Sequence, residues 1–208
     1  MDPSKDPIFE LNSEQIKIIG DVSKVILVVI ASAGLITLAA VAPNILSAVG
    51  KLYKFKGKKL TRREKEIKTA RAFYYLKNSG LIKFKTTKND VKLFLSSLGK
   101  KKMEQISFQA LRVAKPKNWD GKWWQVAADI PTKGYRQAAD ALRSKLKQMG
   151  FFPLQRTLWF YPYDPRKQLE IVVNHYGIGK FVTIMEVSRM DIQDEKILKN
   201  YFNLNRIF

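Results

Sequence analysis

The sequence predicts an α+β chain built in two parts, three helices and a hairpin followed by alternating strands and helices. Three observations carry this prediction. The first is uneven charge: residues 1–50 hold 3 basic and 5 acidic side chains, 51–118 hold 21 and 4, and 119–208 hold 14 and 9. The second is a helix start at "TRRE", residues 61–64, followed by a glycine stop at Gly80 and two short strand-like runs. The third is "AKPKNW", residues 114–119, a proline-broken basic link beyond which the apolar pattern switches repeatedly between strand and helix periods. At 208 residues and 46% hydrophobic, the chain can bury a full core in each of two domains, with boundaries expected at 1–118 and 119–208.

In the first part, Ile16, Ile19, Val22, Ile26 and Val29 form a helical stripe, with Ser13 placed to cap it. This gives a helix from 13 to about 33, and Pro43-Asn44 breaks the apolar run so that a second helix covers 44 to about 55. The uncharged stretch 25–50 has the length of a membrane span, with acids before it and lysines after it. Two readings therefore stand: a cytoplasmic protein whose first two helices pack beneath a third, or a single-pass membrane association through 25–50 with the basic part in the cytoplasm. The acidic start and long polar lead do not fit a signal peptide.

The third helix begins at a capping box, Thr61 with Glu64, and ends before Gly80; its expected apolar stripe is Ile67, Ala70, Tyr74 and Leu76. Strands follow at 81–85 and 91–95, joined by "TTKND". Three helices and a hairpin make the winged-helix order, in which the helix before the hairpin enters the major groove of duplex DNA and the hairpin touches phosphates. The candidate nucleic-acid-binding residues are Arg62, Arg63, Lys65, Lys68, Arg71 and Lys77 on the helix, with Lys83, Lys85, Lys88 and Lys92 on the wing. A net charge of +20, with 17 of it between residues 51 and 118, is more than solubility needs and points to a polyanionic partner. A further helix is expected from 97 to about 113.

The second part reads as strand 123–129, helix 135–149 stopped by Gly150, strand material 151–161, helix 165–176, strand 181–187 and a last helix capped at Asp191. This is βαββαβ, the ferredoxin-like order. Trp123, Trp124, Trp159 and Phe160 on alternating strand faces are expected in the core and in a dimer interface.

Several functions find no support in the residues. There is no cysteine, hence no disulfide, thiolate metal site or cysteine nucleophile, as suits a reducing compartment. His175 is alone and has no triad partners at suitable spacing. No phosphate-loop motif occurs; "GIGK", residues 177–180, reads as a turn, and no cofactor is expected from these patterns.

The stretch "WDGKWWQVAADIPTKGYRQAADALRSKLKQMGFFPLQRTLWFYPYD", residues 119–164, resembles the central domain of PaaX-type transcriptional repressors, itself similar to the small ferredoxin-like CRISPR adaptation protein Cas-two. The resemblance rests on Asp129-Ile130-Pro131, the helix containing Arg143, Gly150-Phe151, Leu154-Gln155, Thr157-Leu158-Trp159 and Tyr161-Pro162. It implies a homodimer through 119–208 that binds double-stranded DNA with its amino-terminal winged helix and regulates transcription. The residues after about 204 leave no room for the further carboxy-terminal domain of those repressors, so effector sensing is not carried over. In Cas-two proteins the acid after the first strand comes from both subunits and holds a divalent metal, Mg²⁺ or Mn²⁺, for phosphodiester cleavage; Asp129 matches that position. Asp129 thus has two readings: a catalytic, metal-binding carboxylate of a nuclease, or a cap that accepts backbone N–H bonds from residues 132–135. Asp120 and Asp164 are the nearest acids that folding could bring to it.

Overall fold

The apolar run 25–50 folds as two helices with a short strand between them. In the computed structural model, which describes residues 21–33, 36–86, 91–116 and 118–204, helix α1 covers Val22–Ala33, strand β1 Ile36–Thr37 and helix α2 Leu38–Phe55. Ser13, Ile16 and Ile19 lie outside the described residues. At the described start of α1, the Asp21 carboxylate accepts from the N–H groups of Ser23 and Lys24 at 2.8 and 3.2 Å. Helix α2 begins six residues before the start expected at 44, because Pro43 falls inside a helix and does not end one. No helix among the described residues is long and apolar enough to cross a membrane.

The chain divides between Ala110 and Leu111 into two units. The first continues with α3, Arg62–Asn78, strands β2, Ile82–Thr86, and β3, Val91–Leu95, and helix α4, Ser97–Gln109. β1 pairs antiparallel with β3, which pairs antiparallel with β2, so the sheet order is β1-β3-β2. The element order α-β-α-α-β-β is that of a winged helix, with β1 an element the sequence reading did not contain. Val25, Ile26, Leu27 and Ile30 of α1, Ile45, Val49 and Leu52 of α2, Leu76 of α3, Leu93 of β3 and Met103 and Ile106 of α4 form one buried cluster. Each such side chain contributes roughly 1.5–3 kcal/mol of burial free energy, which fixes α3 on a rigid base.

The stripe by which α3 joins this core is Thr69, Ala72 and Leu76, with Phe73 packed against the cluster. This corrects the expected stripe: Leu76 is buried, but Ile67 and Tyr74 are 43% and 70% exposed, and Ala70 is exposed too. Residues 69, 72, 73 and 76 return to one side of a helix, whereas 67, 70 and 74 occupy another. Helix α4 ends at Gln109, with Ala110 as its C-cap, four residues short of the expected 113.

In the second unit, β4 is Trp123–Ala128, α5 Thr132–Met149, β5 Phe152–Pro153, β6 Leu158–Tyr161, α6 Arg166–Tyr176, β7 Val182–Val187 and α7 Ile192–Phe202, with a 3₁₀ turn at Gly179–Phe181 before β7. The sheet is antiparallel in the order β5-β6-β4-β7, the ferredoxin-like arrangement. Lys133 and Gly134 have non-helical backbone angles, so regular helix starts near Tyr135. Gly150 and Gly177 close α5 and α6 in the left-handed conformation, and Asp191 caps α7 by accepting from the Gln193 N–H at 2.8 Å.

Register puts Trp124, Val126, Trp159 and Tyr161 on one sheet face, all buried, and Trp123, Gln125 and Phe160 on the other. Trp123 and Phe160 cluster with Leu198 of α7 and Leu204, so α7 covers part of that second face. All four aromatic residues expected in the core are there.

Candidate nucleic-acid interface

Helix α3 is held at its start by reciprocal hydrogen bonds. Thr61 Oγ1 accepts from the Glu64 N–H at 3.3 Å, and Glu64 Oε2 accepts from the Thr61 N–H at 2.7 Å and from its hydroxyl at 2.9 Å. The Thr61 backbone N–H, and next its hydroxyl, hold the Glu64 carboxyl below the ordinary carboxylate value. Glu64 is thus committed to the helix end. Arg62 is committed as well, its Nε 3.0 Å from Glu66 Oε1.

The other basic residues of α3 sort by direction. Lys65 is half-buried and runs along Gly50 of α2, and the Lys68 ammonium lies 4.8 Å from the Tyr53 ring centroid. Lys77 reaches towards the wing, 5.9 Å from the Phe84 ring centroid. Arg63 and Arg71 are exposed and have no carboxylate partner among the described residues. They stand two helical turns apart on the side opposite Thr69, Ala72 and Leu76.

On the wing, Lys85 lies directly opposite Lys92, and Lys83 opposite Phe94; alternation puts all four side chains on the face of the hairpin away from Leu93. Like charges directly across a ladder repel, and no acid among the described residues pairs with them. Lys88 lies outside the described residues. Lys77, Lys83 and Lys85 line an open groove of about 450 Å³ with Ile82, Phe84 and Phe94, so the end of α3 and the edge strand β2 present one basic surface.

A feature that sequence reading missed ties this surface together. Ser96, the N-cap of α4, donates its hydroxyl to Gly80 O at 2.6 Å and accepts from the Gly99 N–H at 3.0 Å; its own N–H bonds Leu81 O at 3.0 Å. The stop of α3, the start of β2 and the first turn of α4 meet at this side chain. Serine immediately before a helix, three residues ahead of Gly99, signals a cap, but nothing local tells which distant carbonyls it meets.

The second unit places its candidate residues differently. Asp129 follows β4 at the end of the strand, its N–H bonded to Phe181 O at 3.0 Å, its side chain exposed. The cap reading is corrected: α5 has no side-chain cap hydrogen bond, Pro131 is its N-cap residue, and the Asp129 carboxylate makes no hydrogen bond among the described residues. Gly134, with φ +83, makes the turn into α5 without the carboxylate. The other acids are engaged locally. Asp120 accepts from the Lys122 N–H at 3.0 Å, and Asp164 binds Arg166 Nη2 at 2.7 Å, which keeps the Asp164 carboxyl below its usual value. No group of three His, Cys, Asp or Glu side chains suited to a metal occurs among the described residues. His175 is exposed beside Tyr176, and residues 177–180 form the expected turn.

Lys145, on the buried stripe of α5 with Ala139, Leu142, Leu146 and Met149, is 4% exposed. Its Nζ lies 3.1 Å from Gln148 Oε1. Burial, and then the Arg112 guanidinium, push its pKa down to about 8.

No curated protein matches the chain. A family model, described as the PaaX protein central Cas2-like domain, matches residues 116–198, a span that contains β4, α5, β5, β6, α6, β7 and the first part of α7. The second unit, with its sheet order β5-β6-β4-β7, is thus similar to the PaaX central Cas2-like domain over residues 116–198.

Proposed function

We propose that this chain is a DNA-binding transcriptional regulator of PaaX-like type, whose winged-helix unit binds duplex DNA and whose Cas2-like unit dimerises. The observation that carries the reading is the exposed pair Arg63 and Arg71 on the helix preceding the wing, both without a carboxylate partner among the described residues. On the wing, Lys83, Lys85 and Lys92 crowd one face of the hairpin, a repulsion that DNA phosphates relieve. Dimerisation is supported by the sheet face of the Cas2-like unit: beyond the part covered by α7, Gln125 and Ala127 are half-buried and Met185 is exposed on that face. A second copy would cover it. The nuclease reading has less to support it, a single exposed carboxylate at Asp129.

The test is the salt dependence of duplex binding. Neutralising about six phosphates gives a log-log slope on the order of −5. Alanine at Arg63, Arg71, Lys83, Lys85 and Lys92 flattens that slope; alanine at Arg166, Arg189 and Lys196 leaves it. Equal losses from both sets would show a diffuse basic surface and refute the winged-helix assignment. Sedimentation of the full chain tests the dimer, with a monomer at micromolar concentration refuting that part.

A further inference from the structure

Helix α3 exposes Ile67, Tyr74 and Tyr75 to 43, 70 and 57%. Scattered apolar residues on a surface are ordinary, but here they share one basic helix with Arg63 and Arg71. The spacing along 63, 67, 71 and 74 is four, four and three residues, which returns each side chain to the same side of a helix. Arg62 is meanwhile occupied by Glu66, Glu64 by Thr61, and Lys65 and Lys68 lie towards α2. The outermost row of α3 is therefore guanidinium, aliphatic, guanidinium, phenol, with the lysines set to the sides.

A surface that only neutralises phosphates gains nothing from isoleucine and tyrosine. The edges of base pairs in the major groove offer what this row matches: guanine O6 and N7 for a guanidinium fork, and the thymine methyl for an apolar side chain. The row runs roughly 16 Å along the helix at ~1.5 Å per residue, which covers about five base-pair steps of ~3.4 Å.

Resting on the regulator reading, we infer that Arg63, Ile67, Arg71 and Tyr74 are the specificity-determining row of this protein, selecting duplex sites that combine guanines with thymines whose methyl groups meet Ile67 and Tyr74. The lysines of α3 and the wing supply sequence-independent attraction. The two groups of residues therefore separate in experiment.

Full-length protein is used to select binders from a randomised duplex pool, and the selected duplex is compared with a scrambled one. The wild type is expected to discriminate at least tenfold. Ile67→Ala and Tyr74→Ala keep the wild-type melting curve, the affinity for scrambled duplex and the salt slope, and lose most of the discrimination. Replacing thymine by uracil at a contacted position weakens the wild type roughly fourfold per methyl lost, and leaves Ile67→Ala unchanged at the base that Ile67 touches. Duplex binding without discrimination by the wild type, or full discrimination by both variants, overturns the inference while leaving the regulator reading in place. Concentration-dependent self-association abolished by Ile67→Ala would also overturn it, by assigning the row to a protein contact. Absence of any duplex binding by the wild type overturns the regulator reading and this inference with it.

Discussion

Substituting Gly99 by alanine should destabilise the winged-helix unit although Gly99 is the third residue of a helix, where alanine is ordinarily better. The helical preference of alanine over glycine is worth up to about 1 kcal/mol. Against it, a methyl group built at Gly99 falls well inside contact distance of the Leu81 carbonyl oxygen, 3.0 Å from the Leu81 carbonyl carbon and 3.4 Å from Leu95 Cβ. The first two are backbone atoms at the entry to β2, and the same carbonyl accepts from the Ser96 N–H. Relief requires α4 to move off the hairpin, at an overpacking cost of about 1–3 kcal/mol, and the Ser96 cap on the Gly99 N–H is lost with it for about 1 kcal/mol more. The net loss is about 2 kcal/mol. In a unit of about a hundred residues this lowers the melting temperature by roughly 8–16 °C. Circular dichroism melts and urea titrations of the full chain measure it, with Ser96→Ala as a milder comparison that removes the cap and adds no atom. A melting temperature for Gly99→Ala at or above that of the wild type would refute the close approach of α4 to Leu81.

What the sequence could reveal depended on range. Thr61 with Glu64, Gly80, Gly150, Gly177 and Asp191 announce helix ends within four residues, through bonds that the backbone makes locally, and each end lies where it was read. The short apolar run from Trp123 to Ala128, closed by Asp129-Ile130-Pro131, likewise marks a strand locally. β1 does not: two residues become a strand only because Ile36 meets Leu93 and Thr37 meets Lys92, more than fifty positions away. The inner face of α3 was misread for a related reason. Thr69 belongs to the buried stripe, its hydroxyl without a hydrogen-bond partner among the described residues, while Ile67 and Tyr74 look outward. A hydropathy pattern assumes that apolar side chains seek the core, and it misplaces a helix face where apolar residues are exposed, as Ile67 and Tyr74 are. Asp129 failed oppositely, since an acid before a helix suggests a cap, but Pro131 and Gly134 already make that turn.

Three further perturbations probe particular groups. Thr61→Ala should cost about 1 kcal/mol of stability; and because the Glu64 carboxyl is held below its ordinary value, the contribution of the box is present above the unfolded pKa and lost as pH falls through the folded one, so wild type and Glu64→Gln should converge in acid melts. Lys145→Met should be more stable than the wild type near pH 7, by up to about 3 kcal/mol for a pKa lowered from 10.5 to about 8. Between those pH values the unfolded chain binds the extra proton, so wild-type stability rises with pH and the advantage of methionine shrinks; a constant difference from pH 7 to 10 would contradict the burial of a charged Lys145. Asp129→Asn and Asp129→Ala should both melt within about 0.5 kcal/mol of the wild type, because the exposed carboxylate makes no hydrogen bond among the described residues. Neither should change duplex affinity, since the charge proposed to meet DNA lies on α3 and the wing. If Asp129 instead meets its counterpart in a second copy around a divalent ion, the wild type should cleave DNA or RNA in Mg²⁺ or Mn²⁺, and chelator should stop it. Asp129→Asn would then abolish turnover at an unchanged melting temperature. Chelator-sensitive cleavage lost in that variant would make the enzyme the better reading of the second unit, while DNA binding through α3 would remain to be judged by its own salt slope.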